Sequence, residues 1–221
     1  MASVLRASHL NWALVFNREW SELKVEQELF NKYFLDTNKW VKKAREHMIS
    51  AHYLVHIHSE LIGTGNEPIQ GYQPELIRHP FEAYKSVGDS SSLLIGFALE
   101  NALKAHLIEK GAIFIDENDK VKGLDGSHDL VSMLEKSSFE PDEKESETIR
   151  LLTFQLQSLS RYHLARNRKK QAEFSGRVDN PLTYYNLVSK IIINILSEKL
   201  KNVYLEPGED YSHIPQTPNF R

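Results

Sequence analysis

The sequence predicts an all-α protein, an up-and-down bundle of four to five helices. Three observations predict it. Apolar residues recur at three- and four-residue spacing over several long stretches. Those stretches are bracketed by residues that start and stop helices. The chain of 221 residues, 41% of them hydrophobic, is long enough to bury one large core. The predicted parts are an N-terminal extension over residues 1–37, a bundle over 38–204 with an insertion loop at 63–89, and a flexible C-terminal tail over 205–221.

In chain order, residues 1–35 carry Leu10, Trp12, Leu14 and Phe16 in alternation, a pattern that fits a strand as well as a helix. They are read as an extension packed on the bundle. The first helix spans about Asn38 to Ile62, with N-caps on offer at Asp36, Thr37 and Asn38 and a stop at Gly63. Trp40, Ala44, Met48, Ala51 and Val55 make one apolar row, and Ile49, Tyr53, Ile57 and Leu61 a second. Two rows predict a wide buried stripe. Residues 63–89 are broken by four glycines and three prolines, with room for a short helix near Phe81–Lys85. The second helix spans about Ser91 to Lys110 and ends at Gly111. Its Leu93–Leu99 stretch is apolar all round, which marks a central buried helix, and Gly96 permits close approach of a neighbour.

Ile113–Ile115 reads as a short extended piece, followed by a polar loop to Gly126. A third helix runs from about His128 to Lys136, with Ser127 as N-cap. A fourth runs from about Asp142 to Leu164 on a stripe of Ile149, Leu152, Leu156 and Leu159. The fifth runs from Pro181 to about Val203, capped by Asn180, with proline pre-organised at the first helical position. The tail from Glu206 carries three prolines.

Composition excludes several classes. Without cysteine there is no disulfide framework, no thiolate metal site and no cysteine nucleophile. That fits the cytosol, the compartment expected. No apolar run is long enough for a transmembrane helix, so no membrane contact is expected. The formal net charge of −3 means that polyanion binding would have to come from a local patch. Neither a Gly-rich phosphate loop nor a G-x-S-x-G elbow is present, and no cofactor is expected.

One local patch exists. Arg161, Arg166, Arg168, Lys169, Lys170 and Arg177 stand against a single acid, Glu173, with Tyr162 and His163 interleaved and Asn167 beside them. Guanidinium groups and aromatics together bind phosphates and stack on bases. Cations at a helix C-terminus also simply complement its dipole. Glu135–Glu147 holds six acids and two lysines, which gives the fourth helix an acidic start and a basic end.

Three smaller constellations stand out. His52 and His56 share a helix face at the spacing of helical metal sites, although two ligands do not define one. The His128-Asp129 doublet occurs in metal phosphohydrolases but also suits a helix start. Glu100 and Lys104 lie one turn apart on the apolar second helix, as an ordinary ion pair or as the lining of a cleft.

Three stretches carry a family resemblance: Trp40-Val41-Lys42-Lys43-Ala44 leading to Ser50-Ala51; Ala98-Leu99-Glu100-Asn101-Ala102-Leu103-Lys104-Ala105; and Ser127-His128-Asp129-Leu130-Val131 followed by Met133-Leu134-Glu135. In this order, with the last two helices, the chain resembles the HEPN superfamily over about residues 38–203. The resemblance implies a bundle of four or five helices, frequent homodimerisation, and in many members metal-independent ribonuclease activity, often in toxin–antitoxin or defence systems. Such enzymes use an Arg followed by a polar residue and then, four to six positions on, a His. Arg166-Asn167 matches the start of that motif, but positions 171–173 are Gln171, Ala172 and Glu173. His163 is near in sequence at the wrong spacing. The resemblance therefore implies a divergent, non-catalytic module that dimerises and binds RNA, a nucleotide or a protein partner such as an antitoxin. Its alternatives are a metal-independent endoribonuclease with a non-standard site at Arg161, His163 and Arg166, and a purely structural interaction module.

Overall fold

The structure is a computed structural model that describes residues 26–63, 80–124, 128–159 and 180–203. Among these the chain is all-α apart from one two-stranded ribbon. The helices are α1 (residues 26–34), α2 (Thr37–Gly63), α3 (Pro80–Glu109), α4 (Leu130–Lys136), α5 (Glu143–Phe154) and α6 (Pro181–Val203). The strands are β1 (Phe114–Ile115) and β2 (Val121–Lys122), antiparallel, with Phe114 opposite Lys122. No helix among the described residues is long and apolar enough to cross a membrane.

The all-apolar stretch of α3 dictates the packing. A helix with no polar face must be covered on all sides, and α3 is met by α2, α4, α5 and α6. Ile95, Ala98, Leu99, Ala102 and Leu103 form the centre of the core. Gly96 lets the neighbouring chain approach: a Cβ there would lie 2.8 Å from Leu156 Cγ. Residue pairs fix the helix directions. His47–Phe97 and His58–Tyr84 run in opposite senses along α2 and α3, so these helices are antiparallel. His52–Tyr185 and the Lys199–Thr37 hydrogen bond make α2 and α6 antiparallel too.

Local chemistry sets the helix ends. Asn180 Oδ1 accepts the Leu182 N–H at 2.9 Å, ahead of Pro181 at the first position of α6. Asp142 and Glu145 form a reciprocal capping box on α5. Gly111, at φ +70°, takes the left-handed conformation that closes α3. Trp40 Nε1 donates to Phe34 O at 2.6 Å, and the two rings meet edge-on, which docks α1 on the bundle.

The structure corrects four sequence expectations. Residues 80–89 belong to α3 rather than to an insertion loop, because Pro80 opens the helix, where its missing N–H costs nothing. Ile49, Tyr53 and Ile57 are exposed. Alpha2 packs only on its Ala44–Ala51–Val55 side, and the second row lies on the opposite side of the helix. The N-cap of α4 is Asp129, which accepts the Ser132 N–H at 3.2 Å. The α-helical winding of α5 ends at Phe154 and widens into a π turn at Gln155–Leu159. Just before it, the Thr153 hydroxyl donates to Ile149 O at 2.8 Å and competes with the helix ladder. The expected helix beyond residue 159, the C-terminal tail and most of the N-terminal extension lie outside the described residues.

Candidate functional site

Glu100 sits in the buried middle of α3, and only 5% of its surface is exposed. A buried carboxylate needs partners for both oxygens. Lys104, one turn on, donates to Oε1 at 2.6 Å, and His128 Nδ1 lies 2.7 Å from Oε2. Burial pushes the Glu100 carboxyl up, but Lys104 and then His128 outweigh it and hold it below the usual glutamate value. The carboxyl is therefore a charged hub at neutral pH.

Aromatic rings surround this hub. The Lys104 ammonium lies 4.9 Å from the Trp40 ring centroid on α2, within cation–π reach. Phe97 is 5.9 Å from the His128 ring on one side and 5.9 Å from the His47 ring on the other. Burial lowers the His47 pKa, and Lys43 lowers it further, against the opposing pull of Glu46 and Glu100. His128 itself has φ +64°, the left-handed conformation rare outside glycine. That backbone turn, immediately before the Asp129 cap, aims the imidazole back at α3.

The arrangement has a defined chemistry. A carboxylate that accepts from Nδ1 fixes the imidazole tautomer and leaves Nε2 as the remaining functional nitrogen. The His128 side chain is 20% exposed and that of Lys104 18%, so the hub is rooted in the core and reaches the surface. Sequence spacing pointed to Glu100 and Lys104 as a pair and to His128-Asp129 as a separate doublet. The structure joins them through the bond between His128 and the Glu100 carboxylate. Trp40, Phe97 and His47 are the members that spacing missed. Trp40, Glu100, Lys104 and His128 do share one signal, since all lie within the three stretches that carry the family resemblance.

His52 and His56 also come together, with ring centroids 4.4 Å apart and His52 resting 5.6 Å from Tyr185. Burial, and then the neighbouring His56, lower the His52 pKa. No group of three or more metal-ligating side chains occurs among the described residues, so this pair gains no third ligand there. Arg161, Tyr162, His163, Arg166, Asn167, Arg168, Lys169 and Lys170 lie outside the described residues. Comparison of the chain with family models, with curated proteins and with solved structures finds no match.

Proposed function

We propose that this chain is a HEPN-like helical-bundle module that acts as a homodimer and binds RNA or a nucleotide through the basic segment Arg161–Lys170 without cleaving it. One observation carries the reading. The three stretches on which the resemblance rests lie far apart in sequence and meet in one hub, through Trp40, Glu100 with Lys104, and His128. Such convergence is expected if the three are parts of one inherited design. For the second copy, the exposed row Ile49, Tyr53 and Ile57 on α2 is the contact face this reading assigns.

The test is salt-dependent RNA binding. Arg166→Glu with Lys169→Glu should abolish it and flatten its dependence on ionic strength. Unchanged binding in that variant refutes the assignment of the segment. A second reading is metal-independent RNA cleavage with Arg161, His163 and Arg166, which the family resemblance keeps open through Arg166-Asn167. Incubation with structured and single-stranded RNA in EDTA separates the two. Cleavage lost in His163→Ala supports the second reading, and intact RNA removes it.

A further inference from the structure

His58 is the buried titratable group that the hub leaves unused. It lies near the C-terminal end of α2 with 3% of its surface exposed, and its buried Nδ1 has no hydrogen-bond partner among the described residues. Buried polar atoms almost always find partners, so an orphaned ring nitrogen calls for an explanation. The imidazole stacks on Tyr84 of α3, with centroids 4.1 Å apart and planes 26° from parallel. One turn further along α3, Gly88 leaves just enough room: a Cβ there would lie 3.0 Å from His58 Nε2 and 3.7 Å from Pro181 Cγ. The ring thus lies against the first turns of α3 at Tyr84 and Gly88, and Gly88 in turn borders Pro181, the first residue of α6.

This part of α3 is a weak helix on its own. It contains Gly88, Asp89, Ser90, Ser91 and Ser92, all poor interior helix formers. Both the Ser91 and Ser92 hydroxyls donate to Gly88 O at 2.9 Å and compete for the carbonyl the helix ladder uses. Tertiary contact must hold these turns in place, and the His58 ring is a central part of it.

Among the described residues, no charged neighbour compensates a proton on the ring. On α2, Glu60 is exposed; on α3, Lys85 and Asp89 are exposed and the Tyr84 phenol belongs to the stacked ring; the first three residues of α6 are Pro181, Leu182 and Thr183. Burial alone lowers the His58 pKa. Partial loss of water around the Asp89 carboxyl raises its pKa, against Lys85, so Asp89 favours the folded arm as pH falls, in a range below that of a histidine.

We propose that His58 is a protonation-sensitive pin that, when neutral, clamps residues 83–90 of α3 onto α2 and, when protonated, releases them. The imidazolium would carry a second N–H into a slot where no described residue offers Nδ1 an acceptor, as a charge largely removed from water. The native pKa lies below the unfolded value of about 6.5. The clamp is therefore fully effective above that value and is lost as pH falls through the window beneath it.

Hydrogen exchange of the full chain tests the pin, with rates corrected for intrinsic exchange. Between the ordinary and the native histidine values, opening of residues 83–90 should rise about tenfold per pH unit, and it should be flat above about pH 7. His58→Phe, which keeps the stack and cannot titrate, should make protection there independent of pH over the same range. If the variant does not fold, the wild-type His58 resonance titrated by NMR serves instead, and its midpoint should match the lower end of the opening window. Protection of residues 83–90 that changes no more than that of the α6 core, a pH-dependence retained in His58→Phe, or non-matching midpoints would each overturn the proposal.

Discussion

Replacing Glu100 by Gln keeps the shape of the hub and removes its charge. In the wild type both carboxylate oxygens take charge-assisted or polar hydrogen bonds, from Lys104 at 2.6 Å and His128 at 2.7 Å. Bonds to a charged group contribute about 1.5–3 kcal/mol and neutral ones about 0.5–1.5, so the exchange should cost about 1–2 kcal/mol. Glu100→Ala removes both acceptors. It should cost about 3 kcal/mol, the lower end of the range for a broken buried pair, because Lys104 and His128 reach water and recover some solvation.

The assay is urea unfolding followed by circular dichroism, with the slope of the transition checked for two-state behaviour. Dependence on pH supplies an internal control. Because the Glu100 pKa is lowered in the fold, its stabilisation is complete above the ordinary glutamate value of about 4.3 and disappears as pH falls through the lowered native value. The gap between wild type and Glu100→Gln should be largest near pH 7 and should close in acid. A gap below about 0.5 kcal/mol at pH 7, the size of an ordinary surface substitution, would refute the charged-hub reasoning.

Other expectations follow from the packing. Gly96→Ala should lower the melting temperature, because the new Cβ meets the fully buried Leu156 at 2.8 Å; overpacking of about 1–3 kcal/mol outweighs a propensity gain of about 1. Leu156→Ala in the same chain should suppress that penalty in a double-mutant cycle. Asp142→Ala should cost about 1 kcal/mol in urea unfolding through loss of the capping box on α5. If the proposed homodimer forms through the exposed row of α2, Tyr53→Arg should shift it to monomer in light scattering and remove any dependence of melting temperature on protein concentration; a persistent dimer places the contact elsewhere.

Particular residues show how far the sequence could be read. Asn180-Pro181 named the start of α6, and Gly111 the end of α3, because caps are local chemistry within three or four residues. Gly96 was legible as a contact because a glycine inside an all-apolar helix has few other uses. The first ten residues of α3 were only partly legible: a short helix near Phe81–Lys85 was readable, but Pro80 and Gly88 read as breakers, and the His58–Tyr84 stack, 26 residues apart, is what holds this stretch against α2. The exposed Ile49 row was misread because periodicity records that a residue is apolar, while burial depends on whether another helix lies opposite.

The sequence alone determined that the chain is helical and where most of its helices begin and end, since those are matters of residue spacing and neighbouring caps. It also named each member of the Glu100–Lys104–His128 hub as a residue of interest. Only the tertiary structure decided that they form one cluster. A buried carboxylate on α3 needs a second partner, and the one it takes lies 28 residues away, brought within 2.7 Å by a left-handed turn at His128 and by the packing of α4 on α3.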